Sequence, residues 1–173
     1  MRPDPAFFAQ PATTAAPALL GMHLCRRLPS GEVLRLRITE TECYYGQEDT
    51  ACHAHRGKTP RNSLLYRAGG CAYIYLCYGI HNLLNAVTGP EEHPEAVLLR
   101  GVEGYDGPGK LTKAMQIDRT LNGEELVTSE RLWLETGDKP QTVLELPRVG
   151  IGYASREDRE RLWRFRAILS PRD

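Results

Sequence analysis

The sequence predicts an α+β domain built on an antiparallel or mixed sheet with few helices. Stretches of apolar, aromatic and β-branched residues come first, a loop-rich centre follows, and similar stretches complete the chain, while helical periodicity is sparse. The 173 residues contain no internal repeat and no linker long enough to separate domains. We therefore expect a single compact domain spanning residues 1–173.

The N-terminal segment is predicted to form an arm followed by a short helix. Residues 1–10 carry Phe7 and Phe8, which we expect to dock onto the body of the protein. Residues 13–21, TTAAPALLG, favour a brief helix, because the internal proline limits its length and Gly21 is a stop signal.

A hairpin is predicted next, followed by a long loop. Residues 23–28 and 33–42 are predicted strands, and the Pro-Ser-Gly sequence at residues 29–31 is typical of a turn between them. Residues 43–61 contain glycine and proline breakers and predict a loop. Residues 61–66 are predicted to add one helical turn.

The rest of the chain predicts more strands and one further helix. Residues 71–87, CAYIYLCYGIHNLLNAV, favour two strands connected near residues 78–81. A strand is predicted at residues 95–104, and apolar spacing predicts a helix at residues 109–117. The remaining strands are predicted at residues 131–135, 142–151 and 163–169, and Ser155 with Asp158 predicts a short charged turn before the last of them.

Composition argues against a membrane-spanning chain and shows no overall charge preference. No apolar run approaches the 18 residues of a membrane span, and the N-terminus lacks the apolar core of a signal peptide. We therefore expect a cytoplasmic protein whose five cysteines are free thiols. Net charge is zero, yet residues 51–90 contain no acid. This basic window fits either a phosphate-facing surface or a single basic loop without functional meaning.

Two carboxylates fall where the second predicted strand should carry apolar side chains. Side chains alternate between faces with a period of two, so Glu40 and Glu42 are in phase with Leu34 and Ile38 and are predicted on the core side. A carboxylate there must be paired or hydrogen-bonded. Either it pairs with an arginine such as Arg100, or it is held in a cleft as a general base; the pattern leaves both open.

Tyrosines form a second group of candidate functional residues. Tyr73 and Tyr75 share a strand face, whereas Tyr78 lies on the other face directly before a glycine. Such a stripe is typical of a half-buried sheet. Together with Tyr44 and His53, the same phenols could form a slot that stacks a planar ring, best of all a cationic one. A large side chain at a hairpin tip also suits a wedge for the minor groove of DNA.

A metal site is a weaker candidate. Cys43, Cys52, His53 and His55 are suitable zinc ligands, but their spacing fits no usual pattern, and two adjacent ligands are awkward for one ion. We predict no metal and no cofactor, since glycine-rich phosphate loops and nucleophile motifs are also missing from the sequence. A metal-dependent hydrolase using the Cys/His residues and a non-catalytic nucleic-acid-binding module remain the alternatives.

Several motifs in series carry a family resemblance. ETECYYGQEDTACHAHRGKTPRN at residues 40–62 is followed by YRAGGCAYIYLCYGIHNLLN at 66–85, AVLLRGVEG at 96–104 and GPGKLTKAM at 107–115, with WRF near the end. In order and spacing, over nearly the whole chain, these motifs closely resemble the alkyladenine (3-methyladenine) DNA glycosylase family, and in particular its bacterial members. The sequence departs from the family pattern at Gln47, Cys52, Ala68, Ile80 and Leu84.

The resemblance implies a monofunctional DNA glycosylase of base excision repair that acts without a cofactor. Such an enzyme flips alkylated or deaminated purines out of double-stranded DNA and hydrolyses the N-glycosidic bond to leave an abasic site. The implied substrates are 3-methyladenine and 7-methylguanine, extending to hypoxanthine and ethenoadenine. The implied fold is a curved, mainly antiparallel sheet with a protruding β-hairpin that inserts into DNA. We expect a monomer in the cytoplasm, associated with the nucleoid through DNA.

The resemblance also implies a role for individual residues. Glu42 would activate the water, and Arg100 would orient Glu42. The base pocket would consist of Tyr44, His53, Tyr75 and Asn85. The residues that intercalate into DNA would be Tyr78 and Ile80. Glu40, one pleat deeper than Glu42, is expected to be a structural partner for an arginine or a backbone amide.

Overall fold

Within residues 1–169, the part of the chain that the computed structural model describes, nine strands form one curled antiparallel sheet. The strands are β1 (His23–Arg27), β2 (Val33–Tyr45), β3 (Ala72–Cys77), β4 (His81–Thr88), β5 (Glu95–Val102), β6 (Tyr105–Asp106), β7 (Leu132–Glu135), β8 (Thr142–Leu146) and β9 (Arg164–Ile168). The α-helices are α1 (Ala12–Ala18), α2 (Pro108–Ala114) and α3 (Arg156–Glu160). The main path of the sheet is β3-β4-β5-β2-β1-β7; β6 pairs with β5, and β9 pairs with both β2 and β8. The predicted α+β class with a curved, mainly antiparallel sheet is confirmed.

The long strand β2 joins the two halves of the sheet. Its first half forms the predicted hairpin with β1. Its second half lies between β5 and β9, so that Glu42 is opposite Leu98 on one side and Arg164 on the other. Because pairing with β5 carries the strand on to Tyr45, the loop predicted to start at residue 43 in fact starts after Tyr45.

An irregularity in β2 changes the face on which its side chains lie. The register against β5 shifts between Ile38 and Thr41. Ile38 and Cys43 both pack in the main core although they are five positions apart, an odd offset that would put them on opposite faces of a regular strand, so the alternation changes phase between them. Glu40 and Glu42 are both buried, and Arg100 bonds to both of them, but Glu42 lines a cleft on the opposite face of the sheet. The prediction that both share the core side with the leucines is therefore wrong, because a β-bulge re-aims the side chains beyond it.

The main core lies between the sheet and the helices α1 and α2. Its largest fully buried side chains include Phe8, Leu19, Leu24, Ile38, Leu84, Leu99, Leu111 and Met115. Phe8 belongs to a 3-10 turn at Pro5–Ala9, and its ring contacts Phe7 edge to face at 5.2 Å between centroids. The predicted docking of the N-terminal arm is confirmed.

The predicted helices form but differ in length from the predictions. Gly21, with a φ of +87°, ends the segment that contains α1, as expected of a stop signal. α2 ends at Ala114 rather than at residue 117, because Gln116 adopts a left-handed φ of 51° that reverses the chain. Met115 and Ile117 still reach the core from beyond the helix end.

The last third of the chain also departs from one prediction. The strand predicted at residues 142–151 ends at Leu146, because Pro147 has no amide hydrogen to continue a ladder. The charged turn predicted at Ser155 is the helix α3, whose first turn is capped where Ser155 Oγ accepts the Asp158 amide hydrogen at 3.2 Å. The turn predicted at residues 61–66 is confirmed as a 3-10 turn, Ser63–Tyr66.

All five cysteines are free thiols, as predicted. Four of them, Cys25, Cys43, Cys52 and Cys71, are buried, whereas Cys77 is partly exposed at the end of β3. Among the described residues, no helix has both the length and the apolar character that crossing a membrane requires.

Candidate active site

A cleft of about 490 Å³ opens on the face of the sheet opposite the main core. It lies between the end of β2, the β3–β4 hairpin, β5, the start of α2 and the segment that follows β8. The polar or aromatic side chains that line it are Glu42, Tyr44, His53, Tyr75, Tyr78, His81, Arg100, Lys110 and Tyr153. Most of the candidates proposed from the sequence therefore meet at one place.

Glu42 lies at the inner wall of the cleft with no exposed surface. Its Oε2 accepts the backbone N–H of Val149 at 2.8 Å, and its Oε1 accepts Arg100 Nη1 at 3.4 Å. Burial raises the pKa of the Glu42 carboxyl, and this rise is opposed by the Val149 hydrogen bond and by the charges of Arg100 and other nearby arginines. The carboxylate is thus fixed at both oxygens and desolvated.

Glu40 has different partners. Its Oε1 accepts Arg100 Nε and Arg164 Nη1, each at 3.1 Å, while Arg166 donates to its Oε2 from Nε at 3.2 Å and from Nη2 at 3.0 Å. Arg100 therefore bridges the two carboxylates, with Nε on Glu40 and Nη1 on Glu42. The expected pairing of Glu40 with arginines is confirmed by these contacts.

An aromatic recess continues inward from the cleft. Tyr44, His53 and Tyr75 line both spaces, and the His53 and Tyr75 rings lie 4.4 Å apart between centroids. His53 Nδ1 lies 3.2 Å from the Tyr73 hydroxyl. The His53 side chain reaches solvent at the cleft, yet the surrounding protein removes enough water to lower the pKa of its imidazole, and the charge of Arg61 lowers it further.

Asn85 lies in the deeper wall of the recess and is buried. Its side-chain amide donates from Nδ2 to the Tyr73 carbonyl at 3.2 Å, which fixes the orientation of the group across the β3–β4 ladder. The recess is small, with a volume of about 40 Å³, so any ligand larger than this must extend into the cleft.

The β3–β4 hairpin ends in a tight turn beside the cleft. The Ile80 N–H donates to the Cys77 carbonyl at 3.1 Å, and both intervening residues have positive φ, 52° at Tyr78 and 65° at Gly79. Tyr78 is 88% exposed and Ile80 is 72% exposed. Two large side chains thus project from the predicted connection into solvent, and a bulky residue occupies a left-handed conformation that favours glycine.

The four residues considered as metal ligands do not form a cluster. Cys43 packs in the main core, and Cys52 belongs to the smaller apolar cluster beneath the recess. His55 uses Nδ1 in a 2.7 Å contact with the Gln47 carbonyl. Residues 1–169 contain no group of three or more His, Cys, Asp or Glu side chains placed to hold a metal ion.

Sequence reasoning missed several contributors to the site: His81 and Lys110 line the cleft, and three further residues shape or support it. Val149 contributes a backbone amide, which has no side-chain signature. Tyr153 lines both recess and cleft and donates its hydroxyl hydrogen to the Ala51 carbonyl at 2.8 Å. Asn62 holds the loop that carries His53, because its Nδ2 donates to the His53 and Gly57 carbonyls, each at 3.0 Å. The asparagine that ends the first motif was the available signal for this last contact.

A comparison with known protein families finds one family that matches nearly the whole chain. The family model described as Methylpurine-DNA glycosylase (MPG) matches residues 6–107 and 103–170. The first match contains the β2 carboxylates, the recess and the hairpin, and the second contains Val149 and Tyr153.

Curated relatives agree with this match. A protein of Psychrobacter cryohalolentis is 43% identical over 87% of this chain and 84% of its own length. Proteins of Methanocella arvoryzae and Borreliella burgdorferi are each 42% identical, over 95% and 94% of this chain and 92% and 94% of their own lengths. All three are named "Putative 3-methyladenine DNA glycosylase". This chain belongs to the methylpurine-DNA glycosylase family.

Proposed function

We propose that this protein is a monofunctional DNA glycosylase that removes 3-methyladenine and related damaged purines from duplex DNA. The observation that carries the proposal is the placement of Glu42, a buried carboxylate that opens onto a cleft between an aromatic recess and an exposed hairpin tip. The proposed reaction hydrolyses the N-glycosidic bond and leaves an abasic site, without a metal or cofactor. The curated relatives carry the name of the same activity.

The hairpin tip would extract the nucleotide. A glycosidic carbon is out of reach inside stacked duplex, so the nucleotide must rotate out, and this costs least for a damaged or mispaired base. The exposed side chains of Tyr78 and Ile80 would enter the minor groove and fill the space that the flipped nucleotide leaves. Double-stranded DNA containing damaged purines is the proposed partner.

The recess would hold the flipped base. The rings of Tyr44, His53 and Tyr75 present π-faces at its mouth, and a methylated purine that carries a positive charge gains cation–π attraction there. Asn85 stands at the inner end, already donating to the Tyr73 carbonyl. Its amide would oppose the exocyclic amine of guanine and so protect normal guanine from excision.

Glu42 would supply the chemistry. The carboxylate accepts a proton from water as the water oxygen bonds to C1′ of the sugar and the bond from C1′ to the purine nitrogen breaks, its electron pair leaving with the base. An alkylated purine cation becomes neutral as it leaves, so no acid is required. Arg100 and the Val149 amide hold the two oxygens of Glu42 in place during the reaction. Neutral lesions such as hypoxanthine and ethenoadenine would need additional help for the leaving group.

Replacement of the carboxylate tests this assignment. Glu42→Gln keeps the shape and the hydrogen-bond acceptor but cannot take the proton, so we expect excision of 3-methyladenine to fall by a factor on the order of 10³, as for loss of general-base catalysis. Binding to the same lesion duplex should change little. Single-turnover release of free base and a binding titration measure the two quantities.

The fold should survive this substitution. Burial raises the pKa of Glu42, so folding favours the protonated form and the ionised carboxylate costs stability at neutral pH. The Tm of Glu42→Gln should therefore equal or exceed that of the wild-type protein. Retained base release would refute Glu42 as the catalytic group, and binding without base release by the wild-type protein would indicate a non-catalytic binding module.

A further inference from the structure

Arg148 is a buried arginine two residues after the end of β8, and its side chain has no exposed surface. Its Nη1 donates to Asp49 Oδ2 at 2.6 Å and to the Cys43 carbonyl at 2.9 Å, and its Nη2 donates to Asp49 Oδ1 at 2.9 Å and to the Asp158 carbonyl at 3.3 Å. A buried cation is tolerated only with such pairing. The bidentate fork fixes the guanidinium in both position and plane.

The same guanidinium lies over two aromatic rings. Its central carbon is 5.0 Å from the ring centroid of Tyr44 and 5.0 Å from that of Trp163. Tyr44 is also a wall of the recess and of the cleft. A fixed cation behind the ring restricts where that wall can lie.

The backbone of Arg148 reaches the other half of the site. The peptide bond that follows Arg148 carries the N–H that Val149 donates to Glu42 Oε2 at 2.8 Å. Because a peptide unit is planar, the direction of this N–H depends on the conformation of Arg148 itself. The preceding peptide is held as well, since Arg164 Nε donates to the Pro147 carbonyl at 2.7 Å.

We propose that Arg148 is a positioning residue that ties the Glu42 carboxylate to the aromatic recess. Its side chain fixes the Tyr44 ring, and its backbone directs the Val149 amide onto Glu42. A displacement of Arg148 would therefore disturb the carboxylate and the base pocket together. This inference rests on the proposed function, because it assigns Arg148 a part in the same hydrolysis.

The electrostatics of Glu42 give the inference a separate signature. The groups that act on the Glu42 carboxylate are Arg100 on β5, Arg164 on β9, and Arg148 and the Val149 amide after β8. The phenols of Tyr44, Tyr75 and Tyr153 also face it, and the charge of Glu42 helps to raise the pKa of each of them. Burial raises the pKa of Glu42, and the Val149 hydrogen bond and the Arg148 charge both lower it. Loss of Arg148 removes its positive charge and disorders the hydrogen bond from the Val149 amide. Since both lower the pKa of Glu42, that pKa should rise.

The test compares Arg148→Lys and Arg148→Met with Arg161→Met. Lysine keeps the charge but cannot form the bidentate fork. Arg161 is the matched control, because it lies over the same Trp163 ring, at 4.9 Å, and forms ion pairs, but its side chain is partly exposed. A double variant, Asp49→Asn with Arg148→Met, removes both charges and so avoids an unpaired buried carboxylate if the single variant fails to fold.

Single-turnover excision of 3-methyladenine from duplex DNA is measured between pH 5 and pH 9 in folded variants. We expect the Arg148 variants to lose about tenfold to a hundredfold in rate, as for a small displacement of reacting groups, and their acid limb to move to higher pH. Arg161→Met should match the wild-type protein in rate and profile.

Two results would overturn the inference, and they differ. If folded Arg148 variants keep the wild-type rate and pH profile, Arg148 contributes only to stability. If the wild-type protein releases no base from any methylated duplex, the proposed function fails, and the role of Arg148 fails with it.

Discussion

At the scale of single residues, the site depends on how two neighbouring carboxylates differ in their partners. Glu40 accepts hydrogen bonds from three arginines, whereas Glu42 accepts one backbone amide and one long contact from Arg100. Both carboxylate oxygens of Glu40 are therefore occupied by ion pairs with arginines. Glu42 is left with access to the cleft and a pKa that burial raises. Under the proposed function, these partners distinguish Glu40, a structural acid, from Glu42, the reactive one.

Neutralising Glu40 should damage the fold. Glu40→Gln leaves Arg100, Arg164 and Arg166 facing a neutral group, so we expect the free energy of unfolding to fall by about 3 kcal/mol, as when one partner of a buried ion pair is lost. Urea unfolding measures this difference. Glu160→Gln, which removes an exposed ion pair with Arg156, should cost no more than about 0.5 kcal/mol. Equal losses in the two variants would contradict the structural role of Glu40.

Side-chain chemistry made part of the site predictable from the sequence. Glu42 was a candidate because a carboxylate on the expected core side of a strand needs an explanation. The tyrosines and His53 were candidates because their rings could together form a slot for a planar base. The Val149 amide was out of reach, because every residue except proline has the same N–H group. The pairing of Asp49 with Arg148 spans a separation of 99 residues, and local spacing carries no information about it.

At the scale of elements, the β3–β4 hairpin combines a rigid base with a strained tip. The ladder pairs the two strands from Ala72 opposite Ala86 to Cys77 opposite His81. Beyond it, Tyr78 holds a left-handed φ of 52°, a conformation that costs a non-glycine residue about 1–2 kcal/mol. Such strain is characteristic of functional positions. The hairpin therefore carries its large side chains at a cost in stability.

Two substitutions at the tip separate strain from function. Tyr78→Ala removes the ring and keeps the strain, so we expect lesion binding and excision to fall with little change in Tm. Tyr78→Gly removes both the ring and the backbone strain. It should be about 1 kcal/mol more stable than Tyr78→Ala but equally defective in binding the lesion duplex. Thermal unfolding and titration with a lesion duplex measure the two effects. A fall in Tm with lesion binding intact would indicate a packing role for Tyr78 instead of a wedge.

Hairpins were the elements that the sequence predicted best. Alternating side chains and turn residues are local signals, and both predicted hairpins formed at the expected places. The change of phase in β2 was not predictable in the same way. It arises where the strand leaves β1 and pairs with β5 and β9, whose residues lie about 60 and 125 positions further along the chain.

At the scale of the whole molecule, a neutral protein must bind a polyanion through local charge. Net charge is zero, but Lys110 lines the cleft, Arg56 lies beside His53 and Tyr153, and Arg61 lies 5.8 Å from the Tyr75 ring centroid. These three cations lie at the cleft or beside residues that line it, whereas Arg100, which also lines it, is paired with Glu40 and Glu42. With so few of these cations, binding to undamaged duplex should be weak and brief, which suits an enzyme that must search DNA.

The dependence of binding on salt tests this picture. Three phosphate contacts predict a slope of about −3 in a plot of log K against log salt concentration. Lys110→Ala should reduce the magnitude of the slope by about one, whereas Arg35→Ala, on the β1–β2 hairpin and paired with Glu135, should leave it unchanged. Fluorescence titrations of an undamaged duplex at several salt concentrations measure the slope. An unchanged slope for Lys110→Ala would remove this residue from the DNA surface.

The fold class was predictable because it depends on the number and order of strands, which are local properties. The curl of the sheet was predicted only through the family resemblance and not from local pattern, because it depends on β9 pairing with β2, more than 120 positions earlier in the chain. The cleft likewise depends on contacts between distant parts of the chain. It needs the loop after β2 and the segment after β8 to meet, and only the complete topology brings them together.

The burial of the thiols has a consequence for chemical survival. The agents that methylate DNA also attack sulfur, and the reactive species is the thiolate. Burial raises the pKa of Cys25 and of Cys52 to about 12 and that of Cys71 to about 11. These sulfurs therefore stay protonated and shielded in neutral solution. An alkylating reagent would therefore meet one partly exposed thiol, Cys77 beside the hairpin tip, and four that are buried.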